Sequence, residues 1–308
     1  MPSAPHLLIF GLGYCGAAVA AVARDAGIAV TGTTRDGQAA TIPFDAAASS
    51  ILFDAAASSI ADATHLLSTV PPGARDGTQR PAHGDPVLAH GDPVLARYAD
   101  AIANAPRLRW IGYLSSTVVY GDRGGGWVDE DTPPAPSQAR GHHRLAAETA
   151  WRAFAGSRAV DVFRLAGIYG PGRSAFDALR SGQARRIIRP GHAFGRIHRD
   201  DIAAAVLAAM RQDRSPGPRV LNLADDVPAE SATVIEEAAR LLGVSPPPGV
   251  AFADAAPGMS PMARSFWAEN RKVASRKTQS MLGLTWRYPS YREGLRAILR
   301  EEGTNRPA

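Results

Sequence analysis

The residues with the clearest chemical content stand near the start of the chain, in the run Gly11-Leu12-Gly13-Tyr14-Cys15-Gly16. Three glycines at this spacing suit a pyrophosphate. Gly11 permits the turn, Gly13 lets phosphate oxygens approach the backbone, and Gly16 lets a helix pack close to a strand. The flanking chain supplies the elements that must position them. Leu7, Leu8, Ile9 and Phe10 predict a short buried strand before the turn, and an Ala/Val-rich run to Ala26 predicts a helix after it. That strand–turn–helix context gives the spacing its meaning. The helix start offers unpaired N–H groups and the positive dipole end to an anion. Gly11, Gly13, Tyr14, Cys15 and Gly16 are therefore the expected contacts of a bound dinucleotide.

A second strand is predicted over 28–33, ending in Thr33-Thr34-Arg35. In dinucleotide folds an acid near this place grips the ribose hydroxyls, whereas an arginine accommodates a 2′-phosphate. Thr34 and Arg35 therefore favour NADP over NAD, with Asp36 the one feature pulling the other way. Asp54 and the strand end Ser68-Thr69-Val70 complete the expected cofactor contacts. Further apolar strands are predicted over 64–70, 108–114 and 160–165, with helices over 93–105 and 137–154. Mostly apolar strands alternating with helices imply a parallel sheet covered on both faces. Ligands of such sheets lie at the carboxyl ends of the strands.

The expected fold is α/β, a Rossmann-type doubly wound parallel sheet with a small C-terminal substrate-binding lobe. Residues 1–168, joined again by 195–225, form the dinucleotide-binding domain; 169–194 and 226–308 form the lobe. Asp200 reads as the N-cap of an alanine-rich helix to Met210. A helix is expected over 229–242, a long irregular segment after Pro246-Pro247-Pro248, and a last helix over 291–300.

Composition excludes several classes. With 45% hydrophobic and 20% charged residues in 308, the chain is expected to be a soluble globular protein. No apolar run approaches the ~18–20 residues of a membrane span, so no membrane partner is expected. The single cysteine excludes an intrachain disulfide and fits a reducing cytoplasm. The net charge of +5 comes from arginines spread along the chain, without a block of like charge, so no nucleic-acid partner is expected. The histidines show no ligand spacing with Cys, Asp or Glu, so no metal is expected. Two short tandem duplications occur: Phe44 to Ile51 recurs as Phe53 to Ile60, and Ala82 to Leu88 as Ala89 to Leu95. They are too short and too few for a repeat architecture. They read as local copying in surface segments.

Several further stretches share one source of likeness: Ser115-Ser116-Thr117-Val118-Val119-Tyr120-Gly121-Asp122, Arg164-Leu165-Ala166-Gly167-Ile168-Tyr169-Gly170-Pro171-Gly172, Arg196-Ile197-His198-Arg199-Asp200-Asp201 and Asn222-Leu223-Ala224-Asp225-Asp226. With the glycine triplet they stand in the order found in the extended short-chain dehydrogenase/reductases, the NAD-dependent epimerase/dehydratase family. The chain resembles that family along nearly its whole length, and within it an atypical, YeeZ-like branch. The resemblance implies chemistry by a serine, a tyrosine acid/base and a lysine four residues after the tyrosine. Ser116 matches the serine, but Arg140 stands in the tyrosine position and Arg144 in the lysine position. No lysine precedes Lys272.

Arginine, with a pKa above 12, makes a poor general base. Arg144 can still hydrogen-bond a ribose, and the fork of Arg140 can hold an anionic group. His143, three residues beyond Arg140 on nearly the same helical face, is the candidate replacement acid/base, since a histidine titrates near 6.5. A solvated side chain in a helix's first turns is its alternative role. Arg173 and Arg196 are the candidate substrate contacts, Arg196 by resemblance to a position that faces a substrate phosphate in sugar-nucleotide members.

Two functions follow as expectations. One is an NADP-dependent oxidoreductase or epimerase-type enzyme acting on a small, sugar-derived or anionic molecule. The other is a dinucleotide-binding sensor or regulatory protein without turnover. The resemblance further implies a homodimer through the helices over 93–105 and 137–154.

Overall fold

The computed structural model describes residues 4–37, 41–44, 55–73 and 91–304. Asp54, His83, His90 and much of both duplications lie outside the described residues. The elements run in chain order as β1 (His6–Phe10), α1 (Tyr14–Asp25), β2 (Ala29–Thr34), β3 (Ile42–Pro43), α2 (Ala55–Asp62), β4 (His65–Ser68), α3 (Leu95–Ala103), β5 (Trp110–Ser116), β6 (Trp127–Val128) and α4 (Ala139–Arg152). They continue as β7 (Ala159–Leu165), β8 (Gly167–Tyr169), α5 (Ala175–Arg180), β9 (Arg186–Ile188), β10 (Arg196–His198), α6 (Arg199–Arg211), β11 (Gly217–Leu223) and α7 (Ser231–Leu242). The last are β12 (Gly249–Ala251), α8 (Phe252–Ala255), α9 (Pro261–Phe266), β13 (Lys272–Val273), α10 (Arg276–Leu282) and α11 (Tyr291–Thr304).

The chain divides into two compact units. The first comprises Met1–Val119, Pro136–Arg164 and Ile202–Leu221; the second comprises Tyr120–Ala135, Leu165–Asp201 and Asn222–Ala308. The first unit is built on a seven-stranded parallel sheet in the order β11-β7-β5-β4-β1-β2-β3. Leu7 pairs with Val30 on one side and His65 on the other. Leu7, Leu8, Ile9 and Phe10 are all fully buried, as expected of a central strand covered on both faces. Helix α1 buries Gly16, Val19, Ala20 and Ala23, residues small enough for close packing. Leu8, Phe10, Leu66, Tyr98, Ile111, Tyr113 and Trp151 join in one core cluster.

Helix α3 starts at Leu95, two residues later than the sequence pattern suggested, and Asp92 ties the turn ahead of it. Asp92 Oδ1 accepts from the Val94 and Leu95 N–H groups at 3.0 Å, and its Oδ2 accepts from Trp151 Nε1 at 2.9 Å. The second copy of the later duplication thus supplies this tie.

The second unit has a separate cluster in which Tyr169, Phe176, Val234, Ala238, Tyr291, Leu295 and Ile298 pack together. Its strands pair two by two, β10 with β8, β12 with β9 and β13 with β6. Two expectations are corrected in it. Asp200 is not the N-cap of α6: the strand runs straight into the helix at Arg199, and the Asp200 N–H donates to His198 Nδ1 at 3.2 Å. Nor is the chain after the proline cluster irregular, since it forms β12, α8, α9, β13 and α10. These are two turns or less, too short to display a helical period. Ser260 caps α9 by accepting from the Ala263 N–H at 3.2 Å.

Candidate functional site

In the first unit the glycine turn is held from both sides by threonines. The Gly11 N–H donates to Thr33 Oγ1 at 3.0 Å, and its carbonyl accepts from Thr69 Oγ1 at 2.6 Å. The Leu12 N–H donates to the Thr33 carbonyl at 2.8 Å. Gly11 adopts φ +90°, and a Cβ there would lie 2.7 Å from Thr69 Oγ1. A Cβ on Gly16 would lie 2.2 Å from the Gly11 carbonyl oxygen, whereas one on Gly13 would meet nothing within 4 Å. The first and third glycines are thus forced by the protein's own packing, and the second leaves open space against bare backbone. Tyr14 and Cys15 form the first turn of α1.

At the end of β2 the Thr34 hydroxyl is spoken for. It lies 2.6 Å from Thr41 Oγ1 and 3.2 Å from Asp36 Oδ1, and it accepts from the Gly37 N–H at 3.1 Å. These bonds close a tight turn that presents Arg35 to solvent. Ser68 is fully buried at the end of β4, and its Oγ has no hydrogen-bond partner. Val70 packs against the core cluster. The ends of β1, β2 and β4 therefore gather every described cofactor candidate except Arg144.

Arg144 is anchored beside β5. It donates through Nη1 to Tyr113 Oη and to the Leu114 carbonyl, both at 3.0 Å. Burial pushes the Tyr113 phenol up from its ordinary value. Ser116, the last residue of β5, accepts from the Val118 N–H at 3.3 Å. One turn beyond Arg144, Glu148 accepts from Ser115 Oγ at 2.6 Å and forms a paired contact with Arg164, Nη2 to Oε2 at 2.8 Å and Nε to Oε1 at 3.1 Å. These side chains of Glu148 and Arg164 are 1% and 3% exposed. Sequence reasoning missed this buried network; a glutamate in line with buried alanines on α4 was the available signal. On the same helix Arg140 is half-buried, while His142 and His143 are both exposed.

In the second unit Arg173 and Arg196 are brought together on one cavity of about 320 Å³, with Tyr169, Val234, Tyr291 and Leu295 among its walls. Arg196 Nη1 donates to the carbonyls of Phe194 at 2.9 Å and Ala229 at 3.0 Å. The neighbouring Asp225 carboxyl is 1% exposed, and burial pushes it up to about 8. Asp201 accepts from the Arg287 and Tyr288 N–H groups at 2.8 and 3.1 Å. His198 is enclosed by Tyr169 and Tyr288, with ring centres at 5.1 and 4.0 Å, and its burial lowers it to about 4. The Tyr120 hydroxyl lies 2.8 Å from both the Asp129 carbonyl and Asn222 Oδ1. Among the described residues no group of three or more His, Cys, Asp or Glu is arranged to hold a metal. No described helix is long and apolar enough to cross a membrane.

Residues 7–224 match the model of the NAD dependent epimerase/dehydratase family. The chain belongs to this family. A curated relative, Protein YeeZ of Escherichia coli (strain K12), is 31% identical over 147 residues, which are 47% of this chain and 50% of that protein. The chain thus spans about half the length of the curated relatives it matches. Among solved structures, a functionally unknown conserved protein from Silicibacter pomeroyi DSS is 41% identical, covers 96% of this chain and 99% of its own, and superposes with a TM-score of 0.79. MoeE5 in complex with UDP-glucose and NAD is 23% identical, with 97% of this chain and 99% of that one covered and a TM-score of 0.73. This last likeness is one of fold.

Proposed function

We propose that this family member is an NADP(H)-dependent oxidoreductase or epimerase-type enzyme, an extended short-chain dehydrogenase/reductase that works without the family's Tyr–Lys pair. The observation that carries the reading is the glycine turn, closed at Gly11 and Gly16 and open over Gly13. That arrangement fits a pyrophosphate at the N-terminus of α1. MoeE5, of similar fold, binds NAD. Gly11, Gly13, Tyr14, Cys15 and Gly16 would hold the pyrophosphate, and Ser68, Thr69 and Val70 would line the neighbouring strand end. Asp54 completes the proposed set from the sequence alone. Arg35, exposed on a turn that Thr34 closes, would meet a 2′-phosphate with its fork. The bound cofactor would supply or accept the hydride.

The chain's own groups do the rest. Ser116 donates its hydroxyl to the substrate carbonyl. Arg144 hydrogen-bonds the ribose, and Arg140 holds an anionic group. Neither arginine moves the proton, because a guanidinium stays charged across the working range; His143 or water does. Arg173 and Arg196 face the small anionic or sugar-derived substrate. The reading includes a homodimer through α3 and α4 and a cytoplasmic location.

Calorimetric titration with NADPH and with NADH is the test. Tight NADPH binding with weak NADH binding is expected, and binding of neither overturns the reading. Where turnover is found, Ser116→Ala and His143→Ala are each expected to lower kcat by about 100-fold, the low end of what a positioned proton donor contributes. Unchanged turnover in both removes the catalytic assignment. A second reading, a dinucleotide sensor without turnover, draws on the tethering of Arg144 to Tyr113 and Leu114. NADPH binding with no hydride transfer to any carbonyl substrate would favour it.

A further inference from the structure

The cavity of the second unit holds a set of polar groups that the protein itself leaves incomplete. Arg196 spends Nη1 on two main-chain carbonyls. Its Nε and Nη2 have no acceptor, and no carboxylate pairs with its guanidinium, among the described residues. Tyr291 lines the same cavity, is 1% exposed, and its Oη has no hydrogen-bond partner. A buried hydroxyl without a partner carries its full desolvation cost, and such groups mark places where something is missing. Opposite them stand apolar walls, Val234, Ile235 and Leu295. The volume of about 320 Å³ is at the low end for small-molecule pockets.

We propose that this cavity is a binding site for a small organic monocarboxylate, with the Nε–Nη2 edge of Arg196 taking both carboxylate oxygens side-on, Tyr291 Oη donating to one of them, and the apolar walls covering the ligand's body. The proposal rests on the reading of Arg173 and Arg196 as substrate-facing residues, and it names the substrate class they serve. A planar carboxylate matches a guanidinium edge through two parallel N–H···O bonds. One cation and one neutral donor also suit a single negative charge better than a phosphate dianion. Two carboxyls stand at the site, and among the described residues neither forms an ion pair with the Arg196 guanidinium: Asp177 lines the cavity and accepts from the Ser174 N–H and hydroxyl, both at 2.7 Å, and Asp225 stands behind it. The Asp225 Oδ1 accepts from the Arg196 main-chain N–H at 3.4 Å, and although the nearby guanidinium favours its charged form, burial dominates and raises the carboxyl to about 8, which favours the protonated form near neutrality. Arg173, exposed at the rim, adds a second positive charge on the approach.

The test is calorimetry on the full chain, without dinucleotide, using benzoate, hexanoate, acetate and inorganic phosphate as probes. Saturable one-to-one binding of benzoate or hexanoate is expected at about 1 mM or tighter, with acetate and phosphate at least about ten-fold weaker. Tyr291→Phe removes only the unpartnered hydroxyl. It is expected to weaken the best carboxylate about ten-fold, the size of a hydrogen bond to a charged group, while Tm stays level or rises. Arg196→Lys keeps the charge and loses the edge, so the preference for carboxylate over phosphate is expected to disappear. No saturable carboxylate binding by the wild type, tighter phosphate than carboxylate, or unchanged affinity in Tyr291→Phe each overturns the proposal. Carboxylate binding in a protein that ignores NADPH would sink the enzyme reading alone. NADPH binding without carboxylate binding would sink this site alone.

Discussion

Around the glycine turn of the first unit, the Gly11 N–H and carbonyl are both satisfied, by Thr33 and Thr69. Two strands over in the sheet, Glu148 meets Ser115 and Arg164 in a closed network. Around the cavity of the second unit, Tyr291 Oη and Asp225 Oδ2 are buried without hydrogen-bond partners among the described residues. The first arrangement holds backbone rigid and leaves one open approach, at Gly13. The second leaves side-chain hydrogen-bonding capacity unspent. A site for a large, multiply charged cofactor can be framed by main chain, because every N–H is the same donor wherever it occurs. A site that discriminates among small ligands needs side chains of particular shape, held unpaired at a cost in stability.

The largest expected effect breaks the closed network. Glu148→Ala removes the carboxylate that pairs with the buried Arg164 guanidinium, and loss of one partner of such a pair costs about 3–5 kcal/mol. A fall of that size in urea-unfolding free energy at unchanged m is expected, and a loss below about 1 kcal/mol would show that the network is not closed. Next is Gly16→Ala, whose methyl group collides with the Gly11 carbonyl. Overpacking of this kind costs about 1–3 kcal/mol. Loss of NADPH binding with benzoate binding retained is expected, which would separate the two sites in one variant; NADPH binding at wild-type affinity would mean that the turn is not a cradle. Arg35→Ala is expected to weaken NADPH about ten-fold, the order of one charge-assisted contact, and to leave NADH unchanged. Equal loss for both dinucleotides would remove the 2′-phosphate assignment.

The remaining prediction tests the other side of the comparison. The folded protein holds Asp225 near 8, above its ordinary 3.8, so the folded state binds the proton more tightly than the unfolded chain. The stability this contributes is complete below the unfolded pKa and is lost as pH rises through about 8. Asp225→Asn is therefore expected to raise Tm relative to the wild type, with the gap widening from pH 5 to pH 9. A gap that stays flat across that range would show that Asp225 does not titrate there.

Much of the first unit was legible from local signals. The run from His6 to Ala26 contains its own strand, turn and helix, and the mostly apolar runs ending at Phe10, Ser68 and Ser116 announce central strands because strands covered on both faces read as near-continuous apolar runs. The candidate contacts at the ends of β1, β2 and β4 follow directly from that pattern. Less of the second unit could be read. Helices α9 and α10 have six and seven residues, fewer than a periodic pattern needs. The cap of α6 went to His198 because strand and helix meet without a linker. Tyr291 reads in the sequence as one more apolar position on the amphipathic face of α11, and its hydroxyl gains meaning only opposite Arg196.

By itself the sequence determined the sheet and the glycine turn, since each depends on residue type at short spacing. The tertiary structure decided which polar groups are paid in full. Ser115, Glu148 and Arg164 come from three elements, and Tyr291 and Arg196, ninety-odd positions apart, line one cavity. Asp92, in the turn ahead of α3, accepts from Trp151, 59 positions away. Pairing of this kind is set by packing at long range, and a local pattern holds no record of it.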